Sequence, residues 1–269
     1  MMNGIVISID PVIFQLGAFE LRWYGVAVML AIVAGVLISA YLGQKKGIAK
    51  EEIYSLAPWV VIGGLLGTRL FHVIDYLEYY LANPWQIFGF EGLAIWGGVV
   101  GGGAATIVYA RIRHIPLGRL VDAMAPALLT GQMIGRIGCI IDGHILGGVT
   151  DLPWGFIYTH PDALIPAHLL GVPIHPYPLY EIMWNAMALL VILRLSRHFT
   201  KDGLVFLSYL SLYSLGRFFL TFVRVENVIF WGLQQSQLVA IVMLIAAVAM
   251  FIYLARAGNG VAAEKGSAV

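Results

Sequence analysis

The chain has 269 residues, 60% apolar and only 12% charged, with a formal net charge of +1 and a mean hydropathy of +0.85. Soluble domains carry about twice that charged fraction, so the composition excludes an ordinary soluble domain and points to a polytopic membrane protein, while the net charge is uninformative about partners. The single cysteine, Cys139, excludes an internal disulfide and argues against a thiolate metal site.

Residues 1–22 read as an interfacial segment, with Trp23 and Tyr24 at headgroup level. No basic n-region or small-residue cleavage site marks a removed signal, so the first span is expected to direct insertion. Seven apolar runs follow, over about 25–42, 57–73, 93–110, 121–141, 179–195, 204–223 and 232–254. At about 1.5 Å per residue each covers most or all of a hydrocarbon core of ~30 Å. The predicted fold is all-α: a seven-helix transmembrane domain over residues 1–255 and a cytoplasmic tail over 256–269. Between spans two and three, Tyr76, Tyr79, Tyr80, Trp85, Phe88 and Phe90 suggest an amphipathic arm on the outer surface. The loop at 142–178 holds six of the eleven prolines and no Lys or Arg. It is too long for a plain connection and predicts a small extracytoplasmic cap.

Loop charge sets the orientation. Lys45, Lys46, Lys50, Arg111, Arg113, Arg119, Arg194, Arg197, Lys201, Arg256 and Lys265 lie on one side, eleven of the sixteen basic residues. The opposite loops carry Arg22 and Arg224 with most of the acids: Asp10, Glu20, Asp75, Glu78, Glu91, Asp142, Asp151, Asp162 and Glu226. The N-terminus is therefore expected outside and the C-terminus in the cytoplasm. Glycines crowd spans two and three (Gly63, Gly67, Gly97, Gly98, Gly101, Gly102, Gly103). Either the helices pack closely there or a lipid approaches their backbone.

Three arginines, Arg69, Arg136 and Arg217, fall inside or at the edge of apolar runs. An arginine at the bilayer centre costs about 2.5–3.5 kcal/mol on insertion scales, so a chain keeps it where it faces a polar cavity or grips an anion. The abundant membrane anion is the phospholipid phosphate. In "GQMIGRIGCIIDGHILGG" (131–148), Arg136 and Cys139 share a helix face, and Asp142 and His144 follow at the helix exit. A cation, an acid and an imidazole are thus expected together, though Arg136 could also snorkel or pair with an acid. In "YSLGRFFLTFVR" (213–224), Tyr213, Arg217, Thr221 and Arg224 draw one polar stripe on an apolar helix. That stripe must face protein or water. In "HPYPLYE" (175–181), Pro178 and Glu181 suit a first helical turn, and Glu181 could pair with Arg136 or Arg217.

"RWYG" (22–25), "WGGVVGG" (96–102), "GRIGC" (135–139), "HPYPLYE" (175–181) and "SLGRFFLTFVR" (214–224), in this order and in a seven-span frame, resemble the prolipoprotein diacylglyceryl transferase family. The resemblance covers about residues 13–255. It implies transfer of the diacylglyceryl group of phosphatidylglycerol to the lipobox cysteine of a preprolipoprotein, with a thioether formed and glycerol phosphate released. It implies no cofactor and no metal. The expected partners are phosphatidylglycerol, the lipobox peptide and membrane lipids, with no nucleic acid. A monomer in the bacterial inner (cytoplasmic) membrane is expected. By resemblance, Arg136 and Arg217 are the essential arginines and Tyr24 belongs to the catalytic set with them. Arg69, Trp96, Gly97, Gly98, Cys139, Asp142, Tyr213 and Arg224 are expected to join the two arginines around the phospholipid. His175, Tyr180 and Glu181 are expected behind them as structural support.

Five positions depart from the common family pattern: Trp96 where His is frequent, Cys139 and Asp142 where Asn is frequent, and His144 and Thr221 where Glu is frequent. The phosphate-binding arginines are thus kept while the proton-handling set differs. His144, placed beside Asp142, is the expected general base, with His72, His175 or a base-free route as rivals. Two other readings stand beside this one: a transporter for an anion or lipid, and a paralogue using another lipid or thiol acceptor.

Overall fold

The computed structural model describes residues 4–17, 19–89, 94–225, 228–230 and 232–257. Phe90, Glu91, Glu226, Lys265 and the tail from residue 258 lie outside them. Among the described residues, seven helices are long and apolar enough to cross a membrane. They are α1 (Trp23–Lys45), α2 (Lys50–Asp75), α4 (Ile95–Ile112), α5 (Leu117–Asp142), α6 (Tyr177–Leu195), α7 (Leu204–Leu220, extended by a 3-10 turn over Thr221–Val223) and α8 (Gln235–Ala257). The aromatic arm forms the short helix α3 (Leu77–Ala82) and a 3-10 turn over Pro84–Phe88. Large apolar side chains such as Leu66, Leu190, Val242 and Ile245 are left exposed on these helices, as lipid contact requires.

The chain forms two compact units, Met1–Leu37 with Met124–Val269, and Ile38–Ala123. In the second unit, α2 and α4 pack through glycine. A Cβ on Gly67 would sit 2.1 Å from the Gly97 carbonyl oxygen, and one on Gly101 2.2 Å from that of Gly63. No residue with a side chain allows that approach. The basic end of this unit is tied by Lys46 to the buried Asp122 at 3.1 Å. Glu52 adds bonds from the Tyr109 hydroxyl at 2.8 Å and from Arg113 Nε at 2.9 Å.

In the first unit, Ala125 and Leu129 of α5, Ala188 and Ile192 of α6, and Val205 and Tyr209 of α7 form one buried cluster. A cap lies over the ends of these helices. Its core is Phe156, Tyr158, Ala163, Ile165 and Ile174, with Ile7, Ile140 and Leu179 against it. The expected cap at 142–178 is incomplete without the N-terminal segment, which is not merely interfacial. Strand β1 (Ile5–Ile7) pairs in parallel with β4 (Phe156–Tyr158). Strands β2 (Val12–Leu16) and β3 (Phe19–Arg22) make a hairpin that runs into α1. A parallel pair so far apart in sequence leaves no local turn signal, so three residues of β1 could not announce it. The short β5 (Val228–Phe230) and β6 (Leu233–Gln234) join α7 to α8.

Candidate active site

The site is built on the cap ends of α5, α6 and α7. Helix α6 starts at Tyr177 with Pro178 in its first turn, where a missing N–H leaves no bond unmade. Tyr177 and Glu181, one turn apart, then share a face. Trp184, the next residue on that face, fixes how α6 meets α7. Its indole N–H donates to the Leu212 carbonyl at 2.9 Å. Gly216 gives it room, since a Cβ there would sit 2.1 Å from Trp184 Nε1. The neighbour of that glycine is Arg217.

Glu181, whose side chain is 8% exposed, holds both expected arginines. Arg136 Nη2 donates to Glu181 Oε1 at 3.1 Å, and its Nε pairs with Oε2. Arg217 Nη1 donates to the same Oε1 at 3.2 Å and to the Tyr177 hydroxyl at 2.8 Å. The Tyr177 hydroxyl in turn donates to Glu181 Oε1 at 3.2 Å. Arg217 Nη2 reaches Ser236 Oγ at 3.3 Å. Two guanidiniums therefore share one carboxylate, and the triad carries a net positive charge. The two alternatives for Glu181, a partner for one arginine or for the other, merge into one contact with both.

His144 closes another side. The helix ends at Asp142, and Gly143 turns the chain at φ +72°, a conformation glycine adopts without strain. The turn brings His144 Nε2 to 3.6 Å from Cys139 Sγ, which lies 3.7 Å from Arg136 Nη1. His144 Nδ1 is buried without a hydrogen-bond partner among the described residues. Burial, with Arg136, Arg22 and Arg224 in support, holds the imidazole below its ordinary pKa, so it is neutral near pH 7. Tyr24 meets His144 edge-on, with ring centroids 4.7 Å apart. It is brought there because Gly138 lets α1 come close: a Cβ on Gly138 would lie 3.0 Å from Tyr24 Cα.

Asp142 corrects one expectation. Among the described residues no hydrogen bond or ion pair joins it to His144. It is 1% exposed, and its partners are the Arg22 charge and the Tyr24 backbone at the start of α1. An acid there satisfies a free N–H of the first helical turn.

The remaining expected residues fall into four groups. Arg224 lies 5.4 Å over the Tyr177 ring and pairs through its backbone with Gly147, which keeps it beside the triad. Tyr213 packs instead on Tyr209, with centroids 6.0 Å apart, in the apolar cluster one turn below Arg217. His175 and Tyr180 form a support: Trp154 Nε1 donates to the Tyr180 hydroxyl at 2.9 Å, and His175 Nδ1 lies 3.5 Å from it.

Arg69, Trp96, Gly97 and Gly98 belong to the other unit. Arg69 does not stand open to phosphate as expected. It donates to the carbonyls of Ile87, at 2.8 Å, and Gln86, and lies 5.1 Å over the Tyr80 ring. The aromatic arm is its partner, because carbonyls of a 3-10 turn are acceptors a guanidinium can reach. The faces of Gly97 and Gly98 are filled by Gly67, Phe71 and Thr68, so helix packing takes the space expected for lipid. Trp96 is exposed on α4. Sequence reasoning gave Tyr177 no role. Its place four residues before Glu181 was the available signal.

Residues 11–253 match the family described as prolipoprotein diacylglyceryl transferase. The chain belongs to this family. Relatives named phosphatidylglycerol–prolipoprotein diacylglyceryl transferase span its length. The one from Dehalococcoides mccartyi is 36% identical over 93% of this chain and 95% of its own. The one from Lactiplantibacillus plantarum is 32% identical over 98% and 99%, and that from Acaryochloris marina 35% over 89% and 88%. The protein is a multi-pass membrane transferase, and the arginine pair lies inside the matched region.

Proposed function

We propose that the protein transfers the diacylglyceryl group of phosphatidylglycerol to the lipobox cysteine of preprolipoproteins at the outer face of a bacterial cytoplasmic membrane. The observation that carries this reading is the net positive charge left where Arg136 and Arg217 share Glu181. A phosphate diester brought to that site meets two guanidiniums only partly neutralised by one carboxylate. The lipobox thiolate attacks the glycerol carbon bearing the phosphate. A carbon–sulfur bond forms, the carbon–oxygen bond breaks, and glycerol phosphate leaves with the bonding pair. The charge developing on that leaving group is what the guanidiniums stabilise in a site of low dielectric.

His144 takes the thiol proton in this scheme. It is neutral at physiological pH and has an unpartnered Nδ1, as a base needs. Tyr24, edge-on to the imidazole, holds its plane. Cys139 sits between His144 and Arg136, and as a thiol it gives the site a soft hydrogen-bonding link rather than a nucleophile, since a thioether formed on it would be a poor leaving group. Displacement at carbon, with phosphate leaving onto arginines, needs no cofactor from these residues. The loop charges favour an outer N-terminus and a cytoplasmic C-terminus.

The deciding experiment incubates purified protein with phosphatidylglycerol vesicles and a lipobox peptide. The expected result is a peptide mass gain of one diacylglyceryl group, with release of glycerol phosphate. Movement of lipid or anion across the vesicle without peptide modification would overturn the reading in favour of transport. Modification only with another lipid or thiol acceptor would move it to the paralogue reading.

A further inference from the structure

The turn after α4 holds a second candidate for phosphate chemistry, within the unit that lacks the arginine pair. Among the described residues, His114 alone has a positive φ without being glycine, at +54°. The turn closes a helix end: Ile115 N–H donates to the Ala110 carbonyl at 2.9 Å, and His114 N–H to that of Arg111 at 3.3 Å. Glycine is the usual residue at such a cap because it adopts this conformation freely. A side chain kept there at a conformational cost is a reason to ask what it does.

It lines a cavity of about 340 Å³ together with Ile107, Ala110, Arg111, Ile115 and Leu117. That volume is at the lower end of what small-ligand sites enclose. The neighbouring Arg113 is bound by Glu52 at 2.5 Å. Arg111, by contrast, has no hydrogen-bond or ion-pair partner for its guanidinium among the described residues. Beside it, Ile107 and Leu117 are each 40% exposed and form an apolar wall. A partnerless cation and an imidazole beside an exposed apolar wall match one ligand chemistry: a phosphate that carries hydrocarbon.

We propose that this cavity binds an anionic phospholipid of the leaflet at the basic end of the helices, with the phosphate on Arg111 and His114 and the first acyl carbons on Ile107, Ile115 and Leu117. A zwitterionic lipid would bring an ammonium toward Arg111 and Arg113 and is disfavoured. This reading does not rest on the transferase reaction, and it concerns a lipid that is bound and not consumed.

The test counts lipids on the full-length protein by native mass spectrometry after titration with phosphatidylglycerol or phosphatidylcholine of matched chains. Arg111→Gln and His114→Gly are compared with Lys50→Gln, a control that removes a charge at the same end of the protein. Because His114→Gly relieves the strained backbone, its melting temperature should hold or rise while binding falls. The expected result is loss of one retained phosphatidylglycerol, with at least about tenfold weaker apparent affinity, in the first two variants only. Any lipid at the arginine pair is retained in all three. Equal retention in all variants, an equal loss in Lys50→Gln, or equal uptake of phosphatidylcholine would overturn the proposal. Displacement by inorganic phosphate at equal concentration would also overturn it, by showing a phosphate site without a lipid component.

Discussion

Arg136 and Arg217 donate to the same oxygen of Glu181, at 3.1 and 3.2 Å. Had each arginine its own carboxylate, the pair would be neutral and would have no reason to bind an anion. Sharing one leaves a positive excess, and the carboxylate and Tyr177 hold the two planar forks in fixed positions. The cost of placing guanidiniums near a bilayer is thus partly offset within the protein, and the rest is available to a phosphate.

Arg136→Lys and Arg217→Lys should each lower transfer to the lipobox peptide by about 10²–10³. Lysine keeps the charge but not the fork that reaches two acceptors at once, and Arg217 here spans Tyr177, Glu181 and Ser236. Initial rates at saturating phosphatidylglycerol measure this. A rate within threefold of the wild type would remove the geometric role.

Glu181→Gln tests the carboxylate itself. Removing one partner of a buried ion pair costs about 3–5 kcal/mol, and here two cations lose their shared anion. The variant should melt well below the wild type in the same detergent. An added phosphate diester should restore part of the difference, because it supplies the missing negative charge between the guanidiniums.

His144 gives a pH signature. Its imidazole is held below its ordinary pKa, first by burial and then by the charges of Arg136, Arg22 and Arg224. A base must be unprotonated, so activity should be full above that lowered pKa and fall as pH drops through it. The acid limb is therefore expected below the ordinary value of 6.5. His144→Gln should lose about 10²–10⁴ in rate and lose that limb with it. A pH–rate profile between acid and neutral checks both, and near-normal turnover in the variant would exclude His144 as the base.

The spans were legible because a helix in lipid must be apolar over its whole length, and all seven runs overlap observed helices. The meeting of Arg136 with Cys139 followed from helical spacing alone. The partners across helices did not. That Glu181 takes both arginines depends on the Trp184–Gly216 contact, which sets the register of α6 on α7 and has no periodicity to read. Arg69 looked like the other two arginines in the sequence, yet carbonyls of the aromatic arm occupy it. The glycines of α4 were ambiguous between helix and lipid until the backbone of α2 was seen against them. Asp142 and His144 are two residues apart, but the left-handed Gly143 between them sends their side chains to different partners.

That divergence makes Asp142→Asn a sharp test. If Asp142 served the imidazole as an acid partner, the loss of its charge would alter the His144 pH profile and cut the rate. In the structure it faces Arg22 and the Tyr24 backbone at the start of α1. Asparagine accepts from a backbone N–H at a helix start about as well as aspartate. Transfer by Asp142→Asn should therefore stay within about threefold of the wild type with an unmoved acid limb. Asp142→Ala, which leaves the N–H without an acceptor, should cost about 0.5–2 kcal/mol of stability and disturb Tyr24, the ring that meets His144. Rates and melting temperatures of the two variants, measured side by side, separate a helix cap from a catalytic acid.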